Sequence, residues 1–321
     1  MEKKKLKQMF AEKMRVKNYS QNTVKAYWGW VYKFIKYNNF QHPEKLTARV
    51  NDYITYLSVE RDLAPKTIRQ AAFGIIFLYT KVLNIEIPYI ELPKSSSRKI
   101  PAVLTKEETK NLINNISGLS KTIAKVMYVS GLRLSEVCSL RVNDIDFGNK
   151  QIIVRNSKGN KSRITILPNS ISDLLYHQIE KVKLIYKEDL ANKYFGTTLP
   201  KFVKAKYPTL AFSLDWQYIF PSYHLTENYR YHVHQSVVQK AIKTAASKSK
   251  IYKNITSHTL RHSFATHMLQ NNVDIRTVQD LLGHKSLNTT MIYTHVLENS
   301  KRTEFDLLEE NPAANIFRIA N

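Results

Sequence analysis

"SHTLRHSFATHM", residues 257–268, crowds three histidines and an arginine into one short helical stretch. His258 and Arg261 stand three positions apart, so on a helix they share one face. Downstream, "LGHKSLNTTMIYTHV", residues 282–296, sets His284 ahead of Tyr293. The chain holds 19 tyrosines, so one more near its end is ordinarily core. Met291, Ile292 and Val296 suit a packed helix equally well. Whether Tyr293 is packing or a nucleophile depends on what else the chain can bring to it.

Two further islands carry unusual polar residues. In "SGLRLSEV", residues 130–137, Gly131 fits the position just past a helix end, which holds Arg133 near a helix junction. In "QIIVRNSKGNKSRITIL", residues 151–167, two β-branched runs flank a turn around Gly159, a hairpin whose tip carries Lys158, Lys161 and Arg163. Attack on a phosphodiester needs paired donors on the equatorial oxygens, which arginines supply, and a proton for the departing sugar oxygen, which a lysine or histidine supplies. Making a phenolate at pH 7 costs about 4 kcal/mol from an ordinary pKa near 10. A tyrosine nucleophile is therefore credible only beside a base or a cluster of cations, and the parts of such a cluster are present.

Blander readings exist. His258 and His262, four apart, could ligate zinc, but no cysteine or spaced acid completes the set. Residues 274–296 could form a helix-turn-helix with Asp274 as N-cap and Gly283 as the break. That explains the basic charge but not Arg133, Lys158 or His258 with Arg261.

The charge balance supports a polyanionic partner. Lys plus Arg number 49 against 26 acids over 321 residues, a formal net charge of +23, and each phosphate neutralised releases condensed counterions. Membrane-surface binding is disfavoured: the charge is spread along the chain, and no apolar run approaches the roughly 18 residues a bilayer span needs. The opening "MEKKKLKQMF" lacks the apolar core of a secretory signal. The single cysteine, Cys138, excludes an internal disulfide and a cysteine-built zinc site. No phosphate-cradling glycine loop is visible, so neither a metal, a nucleotide nor another cofactor is expected. The expectation is a soluble, cytoplasmic protein.

The first 93 residues read as helices. Ser20 caps a run in which Val24, Tyr27, Trp28, Val31, Phe34 and Ile35 form one apolar face. Val50, Tyr53, Ile54 and Leu57 repeat the pattern, and after Pro65 a third long helix carries Ile68, Ala72, Ile75, Leu78, Tyr79 and Val82. Residues 94–103, within the Ser-rich, basic "PKSSSRKIPAVLT", read as an exposed linker. Thr105 and Glu108 look like a capping box opening a second unit, 104–300. There, helices run to about Ser139, the hairpin follows, and another helix spans about Ile171–Tyr186. From Tyr186 to Tyr231, 12 of the chain's 35 aromatic residues interleave with lysines. They either anchor an inserted subdomain, about 187–231, or form stacking platforms for unpaired bases.

Taken together, Arg133 in "SGLRLSEV", Lys158 in "SKGNKSR", "HTLRHSFATH", "LGH" and Tyr293 in "TTMIYTHV" resemble the tyrosine recombinases over nearly the whole chain. The segments "KYFGTTLPKFVKAKYP" and "DWQYIFPS" further resemble the insertion of integron integrases, which ordinary Xer-type recombinases lack. One departure is Ser157, where the family often has glycine before the hairpin lysine. The resemblance implies a mainly α fold with a small β-sheet: an all-α, SAM-like core-binding bundle, then an α+β catalytic domain. It implies that Arg133 and Arg261 clamp the scissile phosphate and that His258 acts as general base or phosphate ligand. His284 would bond a non-bridging oxygen, Lys158 would protonate the leaving 5′ oxygen, and Tyr293 would attack, leaving a 3′-phosphotyrosyl bond. Glu136 would support the arginines from behind. The ester conserves the phosphodiester's energy, so rejoining needs no ATP.

The partners so implied are a duplex attachment site (attI) and folded single-stranded attC hairpins, engaged by a homotetramer on two DNA sites in the bacterial nucleoid. By alignment, Trp216, Pro221, Tyr231 and His232 would grip extrahelical bases, and Lys161 and Arg163 would contact DNA. The tail, 301–321, with Phe305, Leu307 and Leu308, either docks on a neighbouring subunit or packs in cis. The alternatives are a Xer- or phage-like recombinase on ordinary duplex sites, a DNA-binding protein with an idle catalytic set, and a topoisomerase of type IB.

Overall fold

The computed structural model describes residues 3–94, 101–155, 162–192 and 194–294. The chain divides near residue 99 into two compact units. The hairpin tip with Lys158 and Lys161, most of the expected linker, and the tail all lie outside the described residues.

The first unit is helical. Helix α1 (Lys3–Val16) precedes α2 (Gln21–Tyr37), which starts where the Ser20 hydroxyl accepts the Thr23 amide at 3.2 Å. Helix α3 spans Val50–Val59, and α4, Pro65–Phe77, opens on proline, which forgoes only an amide the first turn cannot use. The chain does not continue as one regular helix to Val82. From Leu78 to Leu83 it widens into a π turn, ended by Asn84 at φ +53°. α2 and α4 approach closely because Gly74 lies against the Tyr27 backbone, where a Cβ would stand 3.0 Å from the carbonyl oxygen. Phe34, Tyr53, Ile68, Ile75 and Tyr79 fill one core cluster, and Phe10, Met14, Val31 and Leu78 a second. The buried Tyr79 hydroxyl is satisfied by the Pro43 carbonyl at 2.6 Å.

The second unit opens with α5 (Lys106–Asn114), capped by the Thr105–Glu108 box, and α6 (Gly118–Ser130) at its centre. The short α7 (Leu134–Cys138) leads to a sheet of β1 (Ile145–Asp146), β2 (Gln151–Val154) and β3 (Arg163–Ile166). All pairs are antiparallel, in the order β1-β2-β3, with Ile152 opposite Thr165 and Val154 opposite Arg163. β2 alternates as a half-buried strand should, sending Ile152 and Val154 into a core shared with Ile123, Met127 and Leu175.

Helix α8 runs from Asn169 to Ala191, five residues past the expected end at Tyr186. The extra turn carries Asp189, which is buried against Arg230 at the far end of the aromatic-rich segment, a fork with both carboxylate oxygens engaged. That segment contains α9 (Lys201–Lys206) and two 3-10 turns, and is pinned by the buried Arg141. The Arg141 guanidinium donates to the carbonyls of Trp216 and Thr198, both at 2.5 Å, and to the Tyr218 hydroxyl at 3.0 Å. Helices α10 (Gln235–Lys248), α11 (Ser257–Gln270), α12 (Ile275–Leu282) and α13 (Leu287–Thr290) follow, then a 3-10 turn, Met291–Tyr293.

Candidate active site

Two helix ends frame the site. α6 stops on Gly131 at φ +66° and α12 on Gly283 at φ +64°, a left-handed stop that glycine adopts without a Cβ penalty. Such ends leave carbonyls without intrahelical partners. Arg261, only 3% exposed, supplies them: Nη1 donates to Gly131 O and Nη2 to Leu282 O, each at 2.6 Å. One buried guanidinium thus ties α11 to the ends of α6 and α12. Burial, together with the neighbouring Arg133, pushes its pKa down to about 10, which still leaves it charged at neutral pH.

Beside it, Glu136 gathers the other arginines. Its carboxylate accepts the Arg133 backbone amide and Arg133 Nη1, both at 2.8 Å, which fixes the start of α7. Arg163 of β3 forks onto the same carboxylate at 2.9 and 2.8 Å, and Arg261 Nη1 lies 3.9 Å away. Burial raises the carboxyl's pKa, but the charge-assisted bonds from Arg163 and Arg133 outweigh it and hold it at about 2. One carboxylate against three guanidiniums leaves the cluster net positive. Arg133 is the most exposed of the three, its side chain 37% accessible, and it faces solvent with donors that Glu136 does not use. That is an anion cradle.

His284 borders the cradle. Arg261 Nη2 donates to its Nε2 at 3.1 Å, and Nδ1 lies 2.9 Å from the Thr290 hydroxyl. Because the guanidinium can only donate, Nε2 is unprotonated and Nδ1 carries the proton toward Thr290. Burial, then Arg261 and Arg133, push the imidazole down to about 4, so it is neutral. His258 sits on the exposed rim of α11, its pKa lowered by partial burial and by Arg261 and Arg133.

Tyr293 is 1% exposed, on the 3-10 turn after α13. Its ring stacks on His284 at 6.4 Å between centroids, and its hydroxyl pairs with His262 Nδ1 at 2.9 Å. Burial raises the phenol's pKa, while Arg261 and Arg133 pull it back down. His262 itself is driven to about 4 by burial, then by His258 and Arg261.

The structure thus brings Arg133, Glu136, His258, Arg261, His284 and Tyr293 into one neighbourhood. Lys158 lies outside the described residues. Arg163, expected at the hairpin tip as a DNA contact, turns inward: its side chain is 14% exposed and its guanidinium is held by Glu136. Among the four expected base-gripping residues, Trp216 is buried under the guanidiniums of Arg141 and Arg155, at 5.3 and 5.0 Å from its ring centre. Pro221 is buried and paired with His232 across a β-bridge, and the His232 ring meets the Tyr218 ring edge to face at 5.2 Å. Tyr231 alone of the four is exposed, at 37%. Sequence reasoning passed over His262 as a partner of Tyr293, and Thr290. The first was visible only as a pair with His258; nothing in the spacing from 262 to 293 signals contact.

Among the described residues, no group of three or more His, Cys, Asp or Glu is placed to hold a metal ion. No described helix is long and apolar enough to cross a membrane.

Known proteins resemble this chain in sequence and in fold. An integrase/recombinase of Escherichia coli is 38% identical over 297 residues, covering 89% of this chain and 88% of that one. A tyrosine recombinase of Thermosipho africanus is 31% identical over 312 residues, with 92% and 96% covered. The tyrosine recombinase XerA of Pyrococcus horikoshii is 32% identical over 292 residues, with 89% and 87% covered. The fold is that of the XerH site-specific recombinase bound to palindromic difH substrate, with a TM-score of 0.62 at 19% identity over 95% of this chain and 85% of that one. It is also that of the Tn1549 transposon integrase, with a TM-score of 0.60 at 17% identity over 95% and 99%. Fold and relatives define a DNA recombinase that cleaves and rejoins strands through a tyrosine. A model of the phage integrase family matches residues 102–300, and one of the phage integrase N-terminal SAM-like domain matches residues 6–89. The chain belongs to the phage integrase family.

Proposed function

We propose that Tyr293 is the nucleophile of a site-specific recombinase and that Arg133 and Arg261 hold the scissile phosphate. The carrying observation is a net-positive arginine cluster, organised by Glu136, whose Arg261 and Arg133 act electrostatically on a buried tyrosine. As the phenol oxygen attacks phosphorus, negative charge grows on the equatorial oxygens, where preorganised guanidinium donors lower its energy without reorganising. His284, its Nδ1–H on Thr290, presents Nε2 to Arg261 and sets that guanidinium's orientation. On binding phosphate, a turned or protonated imidazole would add a donor to a non-bridging oxygen. His258, on the rim, contributes a further phosphate contact. Lys158 is assigned the proton for the 5′ oxygen. The product is a 3′-phosphotyrosyl bond and a free 5′ hydroxyl, with exchange carried out by a tetramer on two DNA sites, in the cytoplasm, at the nucleoid.

For substrate, we favour the integron type: folded single-stranded hairpins and a duplex site. The aromatic, lysine-laced insertion supports this, with Tyr231 exposed at its surface and able to stack on an extrahelical base. The burial of Trp216 and Pro221 favours the second reading, a Xer-like enzyme on ordinary duplex sites. That reading also suits the likeness to XerA.

The test is covalent capture from a pool of nicked suicide oligonucleotides, half folded hairpins with bulged bases and half perfect duplexes with randomised cores. Adducts on hairpins, absent in Tyr293→Phe, support the first reading. Capture confined to duplexes supports the second, and no capture from either pool contradicts catalysis.

A further inference from the structure

We infer that His262 is the base that takes the proton from Tyr293 as it attacks and returns it when the strand is resealed. The inference rests on the reading of Tyr293 as nucleophile.

Two histidines, His262 and His284, lie against the Tyr293 ring and a third, His258, adjoins His262; hydrogen bonding distinguishes them. His284 is spent: its Nε2 faces the Arg261 guanidinium and its Nδ1 the Thr290 hydroxyl. His258 stands on the exposed rim, its ring 6.3 Å from that of His262. His262 Nδ1 lies 2.9 Å from Tyr293 Oη, and among the described residues it is the hydrogen-bond partner of that oxygen. To act as base, the imidazole takes the tautomer in which Nδ1 accepts the phenol's hydrogen bond and Nε2 carries the ring proton. Burial keeps the imidazole neutral at pH 7 and so able to accept.

The helix explains why neighbouring residues divide the work. Successive positions on α11 point about 100° apart. Arg261 therefore reaches the ends of α6 and α12, while His262 reaches the turn that carries Tyr293. Phosphate clamp and base sit on one rigid element.

In the cleavage step the Oη–P bond forms as the phenol proton passes to His262 Nδ1. The P–O5′ bond breaks, and O5′ takes a proton from the group assigned to Lys158. Resealing reverses each transfer: O5′ attacks as its proton passes back to the group assigned to Lys158, the Oη–P bond breaks, and the departing phenolate recovers its proton from the His262 imidazolium. Free imidazolium is disfavoured beside Arg261. Next to a five-coordinate phosphorus bearing extra negative charge it is stabilised, so the proton moves as the bond forms and not beforehand. The competing reading makes His262 a latch that keeps the tyrosine buried until DNA binds. The two differ in sign.

The experiment is single-turnover cleavage of a suicide substrate already captured by the wild-type chain, using His262→Asn and His262→Ala. Asparagine keeps an acceptor near Oη but cannot take a proton. General-base loss predicts a fall of roughly 100-fold in both variants, with DNA affinity unchanged. Placing 3-fluorotyrosine at position 293, whose phenol is more acidic, should recover about tenfold of the His262→Asn loss. A 5′-bridging sulfur, which needs no proton on leaving, should recover none of it. Cleavage within threefold of wild type, faster cleavage, or a loss that fluorotyrosine leaves untouched would overturn the inference. Adduct formation by Tyr293→Phe is a separate failure, because it removes the nucleophile assignment itself.

Discussion

Replacing Glu136 with glutamine tests how the arginine cluster is held. The carboxyl's pKa falls from 4.5 to about 2 on folding, with the side chain only 11% exposed. At 1.36 kcal/mol per unit, that depression corresponds to about 3 kcal/mol of stability at pH 7. The sign follows from a folded pKa below the unfolded one. The contribution is complete above pH 4.5 or so and is lost as pH falls through about 2. Glutamine keeps an acceptor oxygen but no charge, so the gap between wild type and Glu136→Gln should be about 3 kcal/mol at pH 7 and shrink to roughly 1.4 kcal/mol at pH 3. The assay is urea unfolding followed by Trp216 fluorescence, with Trp28 and Trp30 replaced by phenylalanine so that only the second unit reports. A gap that stays constant from pH 7 to 3, or one under about 1 kcal/mol throughout, would refute the claim that Glu136 is held ionised by Arg163 and Arg133.

Gly131→Ala should destabilise the second unit by about 1–3 kcal/mol, because a Cβ there would stand 2.4 Å from the Phe264 ring at a backbone φ of +66°; thermal unfolding measures it. Thr290→Val removes the acceptor that fixes the His284 tautomer, and single-turnover cleavage should slow about tenfold while DNA affinity holds. The cleavage rate should show no inflection near pH 6.5 from His262 or His284, both depressed to about 4. It should fall only toward pH 4, as His262 gains a proton and can no longer accept the phenol's. A pH–rate profile checks this. The same shifts make each histidine cost stability as pH drops from 6.5 to 4, since the unfolded chain then binds the extra proton.

The helical first unit was legible because Val24–Ile35 and Ile68–Val82 carry clean apolar periodicity, and caps such as Ser20 and Thr105 announce themselves chemically. α11 was legible only through its motif. It is buried almost all round yet rich in Ser, Thr and His, so no apolar face marks it. Several of its polar groups are matched internally instead: Ser263 Oγ takes the Leu104 amide at 2.9 Å, and His267 pairs with Tyr128 at 2.8 Å, although the buried Thr266 hydroxyl has no partner among the described residues. Arg163 misled for a related reason. A basic residue beside a hairpin tip reads as surface, whereas its true partner, Glu136, lies 27 residues away on α7. His262 was hidden beneath the more obvious His258–Arg261 pair, since contact with Tyr293 depends on how the chain after α12 folds back. Trp216 and Pro221 look like exposed stacking groups in a lysine-rich segment. Arg141, far upstream, holds Trp216 inward through its carbonyl and ring, and Pro221 is buried in the bridge with His232.

The central claim is that Tyr293 becomes covalently joined to DNA within the arginine cradle. Mass spectrometry of the peptide from a captured suicide complex tests it most directly. The account predicts a nucleotide-3′-phosphate on Tyr293 in the wild type, and no adduct in Tyr293→Phe or Arg261→Ala. An adduct on any other residue, or one that survives Tyr293→Phe, would contradict it.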